Sequence, residues 1–485
     1  MSATRPLRVA FIHPDLGIGG AERLVVDAAL GLQARGHSVD IYTSHHDPGH
    51  CFEETKNGSL NVHYVVPPLP RSLGGKFHIL FAHLRQLHLT THLLRPNAPS
   101  YDVYFVDQLS TCVPFLRQLG KTRVVFYCHF PDKLLANGAF VEGKMVMNNS
   151  SLLKRLYRLP MDWLEEVTTR QADIILANSK FTARVFKAYF ESISQTPQVV
   201  YPGINISVYE TEVDLSDQEI VAVASDRPTL LSLNRFEKKK NAALAIEAFA
   251  GMKSKLPSHS KSQNMRLILA GGYDPRLEDN MLTLYSLIDL AKSLSLTYNV
   301  ITPASSKSQV KIPPLNMTRE NPEVLFLLNF TTSQRTALLS SSSTKALLYT
   351  PANEHFGIGP VEGMVCGVPV LACDSGGPTE SVLDQPKNER TGWLRTPNKD
   401  LWADALVEIV SMGDDEREAL SDRAKARARA LFGMDAMAAG LEDALITAVG
   451  MGNVSFGIAV WWIMLLGFAI AYITGPLVWP SSVPS

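Results

Sequence analysis

The sequence predicts an α/β protein of two doubly wound domains facing each other across a cleft, followed by a hydrophobic segment that enters a membrane. Three observations carry this. The chain has 485 residues, 46% hydrophobic and 19% charged, which suits more than one large core and excludes a disordered or fibrous chain. Short β-rich apolar runs alternate with helical patterns, and this happens twice, with a polar break near residues 203–228. Finally, the 42 residues from Ala444 to Ser485 carry no charge at all. The 46 Lys+Arg against 47 Asp+Glu leave a net charge of -1, so no basic excess steers the chain to nucleic acid. Five scattered cysteines without a C-x-x-C pair read as reduced thiols rather than a disulfide framework.

In the first domain, residues 1–203, Leu7–His13 is a strand and Ala21–Arg35 a helix that stops at Gly36. Strands follow at Val39–Thr43, Val62–Val66, Tyr101–Phe105, Arg123–Cys128 and Ile174–Ala177, with a helix over Leu152–Arg170. Between Glu54 and Asp102 no acidic residue occurs, and Lys76–Arg95 has a helical stripe of Phe77, Leu80, Phe81, Leu84 and Leu87. Such a helix either covers the sheet or lies on an anionic lipid surface.

The second domain, residues 204–440, restarts the pattern. Strands are predicted at Thr229–Leu233, Arg266–Ala270, Val324–Leu328, Ala346–Tyr349 and Val370–Cys373. Helices are predicted at Ala242–Lys253, Met281–Ser293, Ser333–Ser341, Val361–Cys366, Leu401–Met412 and Asp414–Phe432. Ser254–Asn264 and Pro303–Pro322 read as loops or insertions. Residues 450–480 form the hydrophobic segment. Within it, Val454–Ile473 is long enough to cross a bilayer as a helix, with a re-entrant or a buried helix as the alternatives. A large domain without a signal peptide precedes it, so a tail anchor facing the cytosol is expected.

Four segments could carry chemistry. Gly17–Arg23 (GIGGAER) follows the first strand and opens a helix, so Gly19 and Gly20 are either a tight turn or a place where backbone N–H groups meet an anion. It lacks the third glycine of a dinucleotide fingerprint. The run Asn234–Asn241 (NRFEKKKN) puts four bases into six residues at a strand end, which suits a solvated turn or a diphosphate. Glu354–Glu362 (EHFGIGPVE) places two glutamates eight apart around a glycine turn that opens a helix, so both can address one cleft. A second glycine turn, Ser375–Glu380 (SGGPTE), follows the next strand. No D-x-D occurs in the chain, which speaks against a metal held by paired aspartates, and neither G-x-x-x-x-G-K-[ST] nor G-x-S-x-G is present.

Taken together, GIGGAER, NRFEKKKN, EHFGIGPVE and SGGPTE resemble the retaining glycosyltransferases of family 4 over most of residues 7–432. FYCHFPDKLLA (126–136), VVYPGINI and NRFEKKKNAALAIEAF are similar to the branch that transfers mannose from GDP-mannose to dolichyl-diphosphate-linked oligosaccharide. That resemblance implies a GT-B fold, two Rossmann-like domains with the donor mainly in the second, and no catalytic metal or other cofactor. It implies α-1,3 and α-1,6 linkages built on Man-GlcNAc2, at the endoplasmic reticulum membrane with the domains in the cytosol, beside other transferases of the pathway. Carried over residue by residue, Arg235 and Lys240 match the pair that neutralises the donor diphosphate. Glu354 matches the glutamate close to the donor sugar, and Glu362 the one that bonds the ribose. Phe356, Gly357 and Ile358 match backbone contacts to sugar and phosphate. Gly19 and Gly20 match the first-domain loop near the diphosphate, and His129 a histidine beside the sugar. Gly359 and Gly363 depart from the bulkier residues of the family pattern.

Overall fold

The computed structural model describes residues 5–73, 77–141, 144–147, 152–211, 213–257, 264–302 and 321–454. Two parallel sheets of seven strands each organise the chain. Those of the first are β1 (Arg8–His13), β2 (Ser38–Thr43), β3 (Asn61–Tyr64), β4 (Val103–Asp107) and β5 (Arg123–Cys128), then, after a hairpin of β6 (Gly138–Val141) and β7 (Lys144–Met147), β8 (Ile174–Ala177) and β9 (Gln198–Val199). Their spatial order is β3-β2-β1-β4-β5-β8-β9. The second sheet has β10 (Thr229–Leu233), β11 (Arg266–Gly271), β12 (Tyr298–Ile301), β13 (Val324–Leu328), β14 (Thr344–Tyr349), β15 (Val370–Cys373) and β16 (Gly392–Arg395), ordered β12-β13-β11-β10-β14-β15-β16.

The apolar runs become strands because helices cover both sheet faces. β4, β8, β11, β13 and β15 are buried along their whole length, as parallel strands between helical layers are. In each sheet the strand order turns back beside its first strand, between β1 and β4 and between β10 and β14, and the second sheet also exchanges β12 and β13 at its edge. A crevice forms outside the carboxyl ends of strands at such a point, which is where open α/β sheets hold ligands.

Most predicted elements lie within two residues of the observed ones, and the differences have reasons. The strand predicted at Tyr101–Phe105 is displaced to Val103–Asp107, because Val9 pairs with Val103 and Asp102 instead accepts a hydrogen bond from the Arg8 N–H. The helix expected over Lys76–Arg95 runs over His78–Leu93, with Phe77 outside it in a left-handed conformation and 41% exposed. Of the expected stripe Phe81 alone is buried, and it shares that side with His83, Gln86, Leu89, Thr90 and Leu93. All five cysteines are free.

The last helix, Met434–Gly450, returns to the first sheet. Met437, Leu441, Ala444, Leu445 and Ala448 share a core with Val9, Leu24 and Phe105, although residues 434–440 fall in the range read as the second domain. The chain therefore crosses between sheets at two adjacent places. Ile204 and Gly433 bridge there, with the Ile204 N–H donating to the Phe432 carbonyl at 2.8 Å. No helix among the described residues is long and apolar enough to cross a membrane. The span expected at Val454–Ile473 lies beyond Val454, outside the described residues.

Candidate active site between the two sheets

The second-sheet half of the site grows from the β10/β14 switch point. The loop after β10 carries Arg235 and Lys240, and the loop after β14 carries Glu354. Lys240 Nζ donates to Glu354 Oε2 at 2.6 Å, with both side chains mostly covered. Burial pushes the Glu354 carboxyl up, but the Lys240 ammonium outweighs it and holds the group below its ordinary value. Arg235 is 64% exposed on its side chain, with a loose 3.8 Å approach to Glu237, so its guanidinium is open to solvent.

Glycines let these loops touch. A Cβ on Gly271, at the end of β11, would overlap the Asn234 carbonyl oxygen, so the Arg235 loop lies directly on β11. Gly376 (φ +70°) and Gly377 lie against the backbone of Asn353, Glu354 and Phe356, where any side chain would collide. The second glycine turn is thus the floor of the Glu354 loop. Gly357 (φ +82°) then turns the chain into the helix Ile358–Val365, whose first N–H groups lack helical partners. Phe356 itself is buried against Tyr201 and Phe432, leaving only its backbone toward the cleft. The two departures from the family pattern sit in tight places: a Cβ on Gly359 would lie 3.0 Å from the Tyr349 ring, and one on Gly363 2.8 Å from Leu347.

Glu362 is 7% exposed and already bonded. The Tyr209 hydroxyl donates to its Oε1 at 2.5 Å and Arg335 Nη1 at 2.9 Å, while the Arg335 guanidinium lies 5.3 Å from the Tyr209 ring centre. Tyr209 stands in the short helix Ser207–Glu210 just after the crossing, so the segment that joins the domains also braces this glutamate.

The first-sheet half grows from the β1/β4 switch point. β1 ends in His13, β4 in Asp107, and His129 follows β5. His13 Nδ1 lies 3.0 Å from Asp107 Oδ2, and His129 Nε2 lies 2.6 Å from Asp107 Oδ1. On the far side, His13 Nε2 is 3.9 Å from Glu22 Oε1, in the first turn of the helix Gly20–Ala34. His13 and Asp107 are fully buried. Burial disfavours both charges, yet the His13 imidazole is carried up to about 9 by Asp107 and Glu22, and Asp107 is held at about 2 by the two imidazoles. Gly19 is the residue before that helix, and a side chain there would overlap the Glu22 carboxylate, whereas a Cβ on Gly20 meets nothing within 4 Å. Gly19 therefore joins the same assembly as His129 through Glu22 and His13, while Gly20 opens the helix that carries Glu22.

The halves meet across the cleft. The Phe130 ring stacks on His355 at 3.8 Å and 7°, and the Ser179 hydroxyl donates to the His355 carbonyl at 2.5 Å. Burial lowers the His355 imidazole to about 4 and keeps it neutral. The Glu380 carboxylate accepts from the N–H groups of Lys180 and Phe181, both at 2.7 Å, capping a first-domain helix (Lys180–Tyr189) from the second domain. His129 and Glu354 consequently sit on neighbouring loops. Sequence reasoning missed Glu22, His13 and Asp107 in the first half, and Tyr209, Arg335 and Glu380 in the second. For His13 and Asp107 the signal was there: both are polar residues that end apolar parallel strands.

Two doubly wound domains, with cations and glutamates gathered at facing switch points, define a glycosyltransferase of GT-B architecture. Residues 18–208 match the model of Glycosyltransferase Family 4, and residues 318–427 that of Glycosyl transferases group 1. The α-1,3/1,6-mannosyltransferase ALG2 of Rhizomucor pusillus is 47% identical over 84% of this chain and 84% of its own. Those of Kluyveromyces lactis (42% identical; 98% and 92% covered) and Saccharomyces cerevisiae (41%; 90% and 84%) are similar along nearly the whole length. The chain belongs to this family, the ALG2 α-1,3/1,6-mannosyltransferases of glycosyltransferase family 4. Among solved structures, sucrose-phosphate synthase from Thermosynechococcus elongatus shares the fold with a TM-score of 0.64 at 17% identity, covering 92% of this chain and 100% of that one. Anabaena HepE, solved with UDP and glucose, does so with a TM-score of 0.59 at 18% identity, covering 91% and 100%.

Proposed function

We propose that this chain transfers mannose from GDP-mannose to a dolichyl-diphosphate-linked Man-GlcNAc2 acceptor, making α-1,3 and α-1,6 linkages with retention of configuration. The observation that carries the reading is the Lys240–Glu354 pair beside an exposed Arg235, in a chain of this family. Breaking the sugar–phosphate bond builds negative charge on the leaving diphosphate. Fixed cations offset that charge without reorganising, and Arg235 and Lys240 supply it without a metal. Glu362 faces the ribose, with Tyr209 and Arg335 fixing its carboxylate. Glu354 and the N–H groups after Phe356 address the sugar, and His129 meets it from the other domain. We favour front-face displacement: the acceptor oxygen bonds to C1 on the side the GDP leaves, and its proton passes to a departing phosphate oxygen. The uncharged segment at Val454–Ile473 anchors the chain in the endoplasmic reticulum membrane, with the two domains in the cytosol, where a lipid-linked acceptor is within reach.

The test is sugar transfer by full-length protein in lipid, offered Man-GlcNAc2-diphosphate-lipid with GDP-mannose or UDP-GlcNAc, with and without EDTA. Extension by GDP-mannose alone, unaffected by EDTA and lost in Glu354→Ala, is the expected result. Transfer from the UDP-sugar overturns the donor, and EDTA-sensitive transfer overturns the metal-free chemistry.

A further inference from the structure

We propose that His13 and Asp107 are positioning residues for His129, and that Glu22 ties them to the Gly17–Gly20 loop, so that both first-domain parts of the donor site move as one. The inference rests on the mannosyltransferase reading above. Its ground is an unbroken chain of groups from separate elements: Glu22 in the helix after the loop, His13 at the end of β1, Asp107 at the end of β4, and His129 after β5. The links measure 3.9, 3.0 and 2.6 Å.

Such a chain is costly as mere core filling. A carboxylate and an imidazole without exposure give up their hydration, and apolar residues of the same size would fill the place at less cost. Only one link is a well-aligned hydrogen bond, from His13 Nδ1 to Asp107 Oδ2. His13 Nε2, Asp107 Oδ1 and His129 Nε2 are buried polar atoms without one. Asp107 Oδ1 engages His129 Nε2 directly, at 2.6 Å. His129 is also fixed from behind: Asn178 donates to its carbonyl at 2.9 Å, and its ring packs at 5.1 Å from Tyr127. With ring and carbonyl both held, the imidazole has one orientation toward the cleft. At the other end the Glu22 carboxylate covers Gly19, so a shift of the loop moves Glu22 and loosens its hold on His13.

The groups facing His13 are Glu22 from the helix and Asp107 from β4, with Tyr127 of β5 and His129 on the far side of Asp107. Removing the Glu22 charge takes away part of what keeps the imidazole protonated at alkaline pH.

The experiment measures kcat, KM for GDP-mannose and thermal midpoint on full-length wild type, Asp107→Asn, His129→Ala, the double variant and Glu22→Gln. Activity of the wild type with GDP-mannose separates the two readings: its absence defeats the mannosyltransferase assignment, its presence leaves only this inference at stake. We expect Asp107→Asn to lower kcat about 30-fold with KM within threefold, together with a lower thermal midpoint because the buried His13 loses its counter-charge. The double variant should be no slower than the worse single one, because Asp107 acts through His129. Additive losses, or an Asp107→Asn enzyme with more than half of wild-type kcat, overturn the proposal. Should Asp107→Asn fail to fold, Glu22→Gln decides. Its alkaline limb of kcat moves to lower pH by roughly half a unit or more if the chain is coupled, and an unmoved limb sinks the idea.

Discussion

The two halves of the site are built on the same plan and differ in how their charges are balanced. Each lies at the switch point of a parallel sheet. In the second-sheet half, Lys240 and Glu354 form a partly covered pair on two loops, with Arg235 in reach of solvent. In the first-sheet half, His13 and Asp107 are sealed in the sheet itself, and only His129 and the glycine loop reach the cleft. The difference teaches that the exposed half can lend its charges to a ligand, while the buried half spends them on holding geometry. Substitutions in the exposed half should therefore cost chemistry most, and those in the buried half orientation.

The largest effect expected is at Lys240. On the proposed role, Lys240→Ala removes a cation from the leaving diphosphate, and it leaves the Glu354 carboxylate without its counter-charge. We expect kcat/KM for mannose transfer to fall by about 100- to 1,000-fold, the range for loss of one preorganised charge-stabilising group. A smaller loss than that of Asp107→Asn would reverse the contrast between the halves.

Next comes the floor of the Glu354 loop. Gly377→Val puts a branched side chain into the Phe356 backbone, and the neighbours are main chain that cannot yield. A loss of roughly 3 kcal/mol or more in denaturant unfolding is expected. Gly20→Ala in the other half meets nothing within 4 Å and should change stability by less than about 1 kcal/mol. Equal costs at the two glycines would mean that the loops are not packed as described.

How much of this was legible in the sequence follows from the same contrast. The second-sheet half is carried by contiguous runs, NRFEKKKN and EHFGIGPVE, so residue types and spacing point to it at once. The strands were equally plain, because burial on both faces demands apolar runs; β5, β8, β10, β13 and β15 fall at their predicted limits. His13, Asp107 and His129 are 94 and 22 residues apart in order along the chain, and only strand order makes them neighbours. β12 and β16 were missed because they are short edge strands, and the tie between Glu380 and a first-domain helix depends on how the domains dock. No helix is predicted over Met434–Gly450 and the second domain is drawn to residue 440, since nothing local there says which sheet an apolar side covers.

Two histidines extend the comparison to pH, with opposite signs. His355, stacked on Phe130, has its imidazole lowered to about 4, so the unfolded chain, at about 6.5, binds the extra proton first. Its contribution to stability is full above about pH 6.5 and is lost as pH falls toward 4. His13, raised to about 9, contributes fully below about pH 6.5 and loses that contribution as pH rises through 9. Unfolding midpoints of His355→Gln and His13→Gln across pH 4–9 check this. The first should flatten the acid limb and the second the alkaline limb. A His13→Gln protein that keeps the alkaline limb would show that the imidazole between Glu22 and Asp107 is not held charged.

The smallest effect expected lies where the halves touch. Glu380 stands in the second glycine turn, yet its two carboxylate oxygens accept from Lys180 and Phe181 at the start of a first-domain helix, and Oε2 also accepts from the Tyr201 hydroxyl at 3.1 Å. Its backbone is fixed in turn, because Arg427 donates to the carbonyls of Glu380 and Ser381. Glu380→Gln keeps one acceptor oxygen and loses the charge that suits a helix start. A cap is worth about 1 kcal/mol, and this one retains its shape, so the unfolding free energy should fall by about 0.5–1 kcal/mol. Because the cap joins separate domains, its loss should also raise the KM for GDP-mannose by about two- to threefold, with kcat less affected. A stability loss without any change in KM would make Glu380 an ordinary helix cap. A KM change without stability loss would place it in the docking of the two halves alone.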